Sequence, residues 1–144
     1  MPFHFYHSIE IRYGDLDPQG HVNNACYLTY CEQARVSYLM SLGLFGKDQS
    51  FLEIGIILAD AQITFKRPAL FGQDVRVGVR TVRLGNKSMD QEYELIDHAD
   101  NAVLAAGRSV LVTYNYRDEK TIPIPAEWRR QIAEFEQIPF DEIR

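Results

Sequence analysis

The sequence predicts an α+β fold in which one long helix lies on a face of an antiparallel sheet, and three observations predict it. An apolar recurrence at helical spacing runs from Tyr27 to Leu42. Four alternating segments follow it in succession, and each is joined to the next by a turn of hairpin length. Strands joined that way are antiparallel, and a sheet with one apolar face hides it against a helix. The chain of 144 residues is expected to be a single domain spanning 1–144, large enough for a core without disulfide staples.

In residues 3–12, Phe3, Phe5, His7, Ile9 and Ile11 alternate with His4, Tyr6, Ser8, Glu10 and Arg12, which predicts a half-buried strand. Two glycines and a proline make 14–21 a loop. Asn23 or Asn24 then caps a helix to Leu42, about 28 Å long at 1.5 Å per residue, which Gly43 and Gly46 end. Tyr27, Cys31, Ala34, Tyr38 and Leu42 form its main face. Leu28, Val36, Leu39 and Met40 lie on other sides, so broad enclosure is expected.

Ile57 to Lys66 alternates as a strand, and Pro68 to Asp74 is a turn. The alternation of Val75, Val77 and Val79 slips phase at Val82/Arg83, which predicts a bulge before the Gly85-Asn86 turn. Met89 to Ile96 and Val103 to Tyr116 form a hairpin. Ile122-Pro123-Ile124-Pro125 stops the sheet. Pro125 suits the first turn of a short helix carrying Trp128, Ile132 and Phe135. The expectation is thus five strands and two helices.

Fifteen Lys and Arg against twenty Asp and Glu give a net charge of −5, which disfavours a phosphate-backbone partner, so no nucleic acid is expected. No apolar run reaches the roughly 20 residues of a membrane span, and the start lacks a signal-peptide pattern. Cys26 and Cys31 are five apart, about 140° around a helix axis, a poor disulfide and no zinc spacing. These points give the expectation of a cytoplasmic protein without a membrane partner.

Chemistry concentrates in Asp15-Leu16-Asp17-Pro18-Gln19-Gly20-His21-Val22-Asn23-Asn24, which ends where the helix begins. A helix start presents unpaired N–H groups and the positive end of a dipole, which polarise a carbonyl oxygen. Asp17 is a nearby carboxylate able to attack an acyl carbon or take a proton from water. That pair suits an activated acyl group such as a thioester. Asp-Pro and Gly-His loops also serve simply as turns, with the Asp side chain bonding nearby N–H groups, and composition leaves both readings open. Asp15 has the same two readings, turn residue or helper of Asp17. Asp15, Asp17 and His21 lack the second His that a metal site would want.

The run from Tyr13 to Asn24, continued by Tyr27-Leu28-Thr29-Tyr30-Cys31-Glu32-Gln33-Ala34-Arg35, closely resembles the start of acyl-CoA thioesterases of the 4-hydroxybenzoyl-CoA thioesterase type. These have the hotdog fold, a long helix wrapped by an antiparallel sheet. The resemblance implies that Asp17 is the catalytic carboxylate, as nucleophile or general base. It implies that the backbone N–H near Asn24 polarises the carbonyl and that His21 assists, with neither metal nor cofactor. The words His21-Val22-Asn23-Asn24 also resemble acyl-carrier-protein thioesterases of this fold, which have Asn where this chain has Gln19.

By the same resemblance Arg83, Lys87 and Arg117, with Lys120, grip the phosphates of coenzyme A; the alternative is a solvated charged edge. Arg67 is a weaker candidate for that role. Glu32 and Arg35 pair with each other or anchor the helix to the sheet. Tyr27, Tyr30 and Tyr38 belong to an acyl pocket or to the core. The implied assembly is a homodimer or homotetramer with acyl-CoA bound at the subunit junction. The rivals are an acyl-carrier-protein thioesterase and a non-catalytic acyl-CoA-binding module.

Overall fold

The computed structural model describes residues 2–46 and 50–139. In chain order they form β1 (Tyr6–Ile9), a 3-10 turn (Tyr13–Asp15), α1 (Asn24–Ser41), β2 (Gly55–Phe65), β3 (Val75–Leu84), β4 (Ser88–Asp97), β5 (Ala102–Asn115), β6 (Lys120–Thr121) and α2 (Ala126–Glu136). The sheet order is β1-β3-β4-β5-β2, antiparallel throughout, with α1 laid against it. This is the hotdog arrangement.

Among the described residues the sheet has the five expected strands and a two-residue sixth, β6, beside β5. The chain reverses after Asn115, with Glu119 at φ 53°, so that Lys120 and Thr121 pair with Asn115 and Tyr114 before the prolines stop the ladder. β1 is shorter than its alternation, but Phe5 still accepts a bond from the Val79 N–H at 3.1 Å, and Phe3 lies 4.3 Å over the Arg80 guanidinium. The register of β3 against β4 shifts between Thr81 and Arg83, where the phase slip predicted a bulge. A second shift, in β2 between Leu58 and Asp60, interrupts an alternation that is unbroken in sequence. Pro125 caps α2 from outside its first turn.

β4 shows how alternation makes the core. Met89, Gln91, Tyr93 and Leu95 point inward and are buried, while Ser88, Asp90, Glu92 and Glu94 between them are half-exposed. Val75, Val77 and Val79 of β3 and Leu104 and Leu111 of β5 join them. α1 lays Tyr27, Tyr30, Cys31, Ala34, Tyr38 and Leu39 on this surface, and Trp128 and Ile132 of α2 fill the remaining flank. The enclosure of α1 is one-sided: Leu28 remains 43% and Met40 53% exposed. The sheet covers only the face that turns toward it.

Hydrogen-bonded polar groups thread the core. Tyr38 donates to Glu136 Oε2 at 2.5 Å, and the same oxygen accepts the Thr81 N–H at 2.9 Å. Gln91 donates to Thr81 Oγ1, and Tyr93 lies between Gln91 and Ser109. Burial and the neighbouring Glu136 push the Tyr38 hydroxyl pKa well up, which keeps it a donor. No Glu32–Arg35 ion pair forms among the described residues. Three helical steps separate the two by about 60° around the axis, enough to leave Glu32 in solvent and bury Arg35 over the Tyr93 ring, 5.8 Å from its centroid. Arg35 thus anchors the helix to the sheet. Replacing Glu136 by Ala strips two donors of a buried charged acceptor and is expected to cost about 2–3 kcal/mol, seen as a lower urea midpoint with unchanged slope.

Candidate active site

The chemistry-bearing loop is a miniature hairpin. Leu16 bridges Val22, the Asp17 N–H donates to the His21 carbonyl at 2.7 Å, and the Asn23 N–H donates to the Asp15 carbonyl at 2.8 Å. The tip turns through Gly20, whose φ of 81° favours glycine, and its N–H donates back to the Asp17 carbonyl at 3.0 Å. The outer limb docks on the segment after β2: the Val22 N–H meets the Ala69 carbonyl at 2.9 Å, and His21 bridges Leu70.

Asp17 uses one oxygen as a turn residue would. Its Oδ1 accepts the N–H groups of Gln19 at 2.9 Å and His21 at 3.2 Å. Its Oδ2 accepts no hydrogen bond among the described residues, and the half-buried side chain lines a cleft of about 300 Å³. Gln19, His21 and Asn24 share this polar wall. Asn23 is the helix cap, accepting the Ala25 N–H on Oδ1 at 2.9 Å, so Asn24 is the first helical residue. Among the described residues no acceptor meets the Asn24 N–H, which leaves it available to a carbonyl oxygen.

The other wall is aromatic and cationic. Tyr27 and Phe65 meet edge to face at 5.0 Å, and Phe65 remains 47% exposed. Lys66 and Arg67 complete the rim, the latter 3.8 Å from Asp100. A larger cavity of about 550 Å³ lies against Phe3, Tyr6 and Arg80. There Arg80 pairs with Glu92 at 2.6 Å and Glu94 accepts the Tyr6 hydroxyl at 3.4 Å, while Lys66 lines both cavities.

Asp15 points the other way and is 2% exposed. Its Oδ2 accepts the Tyr30 hydroxyl at 2.7 Å and the Arg12 N–H at 3.0 Å, and its Oδ1 the Arg12 guanidinium at 3.0 Å. Burial alone would raise its pKa. The bonds from Tyr30 and Arg12 outweigh that and hold it below the ordinary carboxylate value. Burial, with Asp15 as acceptor, pushes the Tyr30 hydroxyl up. Tyr30 is therefore a core residue with a polar task, whereas Tyr27 reaches the cleft.

The structure does not bring the expected phosphate-binding residues to Asp17. Arg83 bonds Ser88 and Asp90, Lys87 bonds Thr121, and Arg117 pairs with Glu53. Lys87 and Arg117 lie at the end of the sheet where β2 begins, and Arg83 is in register, through Asp90 and Val110, with Asp60 halfway along β2, whereas the cleft lies where β2 ends at Phe65. The strand between spans about 30 Å at 3.3 Å per residue. Nothing local marks Lys66 and Phe65 as cleft residues, because both read only as members of an alternating strand. Among the described residues, no three His, Cys, Asp or Glu side chains group to hold a metal. No described helix is long and apolar enough to cross a membrane.

Residues 11–132 match the family model described as the thioesterase-like superfamily. The long-chain acyl-CoA thioesterase FadM of Escherichia coli is 24% identical over 126 residues, 88% of this chain and 95% of that protein. The 1,4-dihydroxy-2-naphthoyl-CoA hydrolase of Thermosynechococcus vestitus is 28% identical over 118 residues, 80% of each. A thioesterase from Thermus thermophilus, solved with coenzyme A and Zn, superposes with a TM-score of 0.79 at 33% identity, covering 95% of this chain and 98% of that one.

A depressed carboxylate pKa carries a signed expectation for stability. The contribution of Asp15 is fully present above the unfolded value of about 3.9 and is lost as pH falls through the lower folded value. Urea midpoints measured from pH 5 to pH 2 should therefore fall less steeply for Asp15→Asn than for the parent chain.

Proposed function

The chain belongs to the thioesterase-like superfamily, and on that premise we propose that it is an acyl-CoA thioesterase acting through Asp17 at the start of α1. Water and a thioester become a free acid and coenzyme A. The observation that carries this reading is that an Asp17 oxygen and an Asn24 N–H, both without a partner among the described residues, belong to residues of the same cleft wall.

The substrate carbonyl oxygen accepts the Asn24 N–H, where the helix dipole adds to the polarisation. Asp17 then acts in one of two ways. As general base it takes a proton from water while the water oxygen bonds the carbonyl carbon. As nucleophile it bonds that carbon itself, and water later cleaves the resulting anhydride. In either case the C–S bond breaks and the thiolate leaves, taking up a proton. The bonds from Gln19 and His21 to Oδ1 orient the carboxylate, and the His21 side chain on the cleft wall assists by orienting water.

The proposed assembly is a homodimer, or a tetramer built from it, formed along β2. This strand is eleven residues long, pairs among the described residues only with β5, and stands at the edge of the sheet. Leu58 and Phe65 on it are exposed. A two-fold axis runs β2 antiparallel to its copy. The end of one sheet that carries Lys87 and Arg117, with Arg83 nearer its middle, then approaches the partner's Asp17 cleft. This supports the assignment of those three residues to the coenzyme A phosphates.

A panel of aromatic and long-chain acyl-CoAs with a thiol reagent tests the reaction. Asp17→Asn should lose about 10²-fold or more in turnover. Equal rates for both proteins would remove Asp17 from the mechanism, tight binding without turnover would favour a binding module, and faster turnover of acyl-carrier-protein thioesters would favour that rival. Sedimentation should give two or four times the chain mass of 16.6 kDa, and a monomer would overturn the assembly. Arg117→Ala should raise KM several-fold and leave kcat unchanged.

A further inference from the structure

We infer that Asp15 and Tyr30 are a positioning pair that fixes the Asp17 loop against α1, and this rests on the thioesterase reading above. Only Leu16 separates Asp15 from Asp17. Asp15 grips the helix at two levels. Its backbone carbonyl accepts the N–H of the cap residue Asn23 at 2.8 Å, and its carboxylate accepts the hydroxyl of Tyr30 at 2.7 Å. Tyr30 lies six residues beyond Asn24, about 9 Å along the axis. Asp17 and Asn24, the two groups that must meet one carbonyl, are thus referred to the same helix.

Among the described residues, the remaining bonds of the hairpin do not make this link, apart from a long one of 3.8 Å from the Cys26 thiol of α1 to the same Asp15 carbonyl. Those from Gln19, Gly20 and His21 to Asp17 stay within the loop, while Val22 and His21 tie it to Ala69 and Leu70. A buried carboxylate is also a poor way to gain stability, since an apolar side chain of similar shape often does as well. What it supplies is direction. Reacting groups need placement within about 0.5 Å, and an error of about 1 Å can cost about 10²-fold in rate.

Tyr30→Phe removes one oxygen and keeps the ring, so it is the variant to use. Its kcat should fall at least 10-fold with KM changed less than two-fold. The same substitution in an Asp17→Asn background should have almost no further effect, because there is no carboxylate left to place. Amide hydrogen exchange in the full chain should show Gln19 and His21 exchanging at least 10-fold faster in Tyr30→Phe, with β4 and β5 amides unchanged. An unchanged kcat in an active enzyme, or the same loss in both backgrounds, overturns the proposal while the thioesterase reading stands. If no acyl-CoA is hydrolysed by the parent chain, that reading fails instead. Exchange then decides the positioning pair alone, and unchanged rates at Gln19 and His21 overturn it.

Discussion

The structure depends on where α1 can hide its apolar face. Tyr27, Ala34, Tyr38 and Leu39 leave water only when the helix lies on the sheet at β1 and β3, and that contact also fixes the place of its first turn. The first turn cannot satisfy its own N–H groups. Those of Ala25 and Cys26 are met by the cap residue Asn23, and among the described residues the N–H of Asn24 is left for something else. The candidate site is a by-product of packing: a helix end brought to the mouth of a sheet, with a short hairpin folded beside it.

The polar groups below that helix follow the same logic. Tyr38 of α1, Thr81 of β3, Gln91 and Tyr93 of β4, Ser109 of β5 and Glu136 of α2 form one network, so these five elements are keyed to one another by direction as well as by area. Asp15 and Arg35 extend this outward, one bonding Tyr30 and the other lying over Tyr93. Apolar packing sets the distance between layers; these bonds set rotation and register.

Much of this was legible in the sequence, because periodicity and turn chemistry are local. The helix, the four long strands after it and the bulge near Val82 could be read from spacing alone. Asp17 and Asn24 stood out because their residue types crowd a helix start. β6 was not legible, since two residues carry no period and their pairing depends on a reversal after Asn115. The one-sided cover of α1 was not legible either, because apolar residues all round a helix do not say which side the sheet takes. The distance from Asp17 to Arg83, Lys87 and Arg117 depends on which end of the sheet each turn occupies, a property of strand order. The Asp15–Tyr30 bond joins residues fifteen apart through a fold that must already exist.

The irregularity in β2 bears on a hazard of any long open edge. Between Leu58 and Asp60 the ladder to β5 slips, leaving Ala59 out of register and bending the strand. A neighbour that joins this edge must follow a curved contour with one kink at a fixed position. Flat stacking of many copies into a fibril would need the kink straightened in every chain. A single added residue therefore lets the edge accept one mate of matching curvature while resisting endless growth.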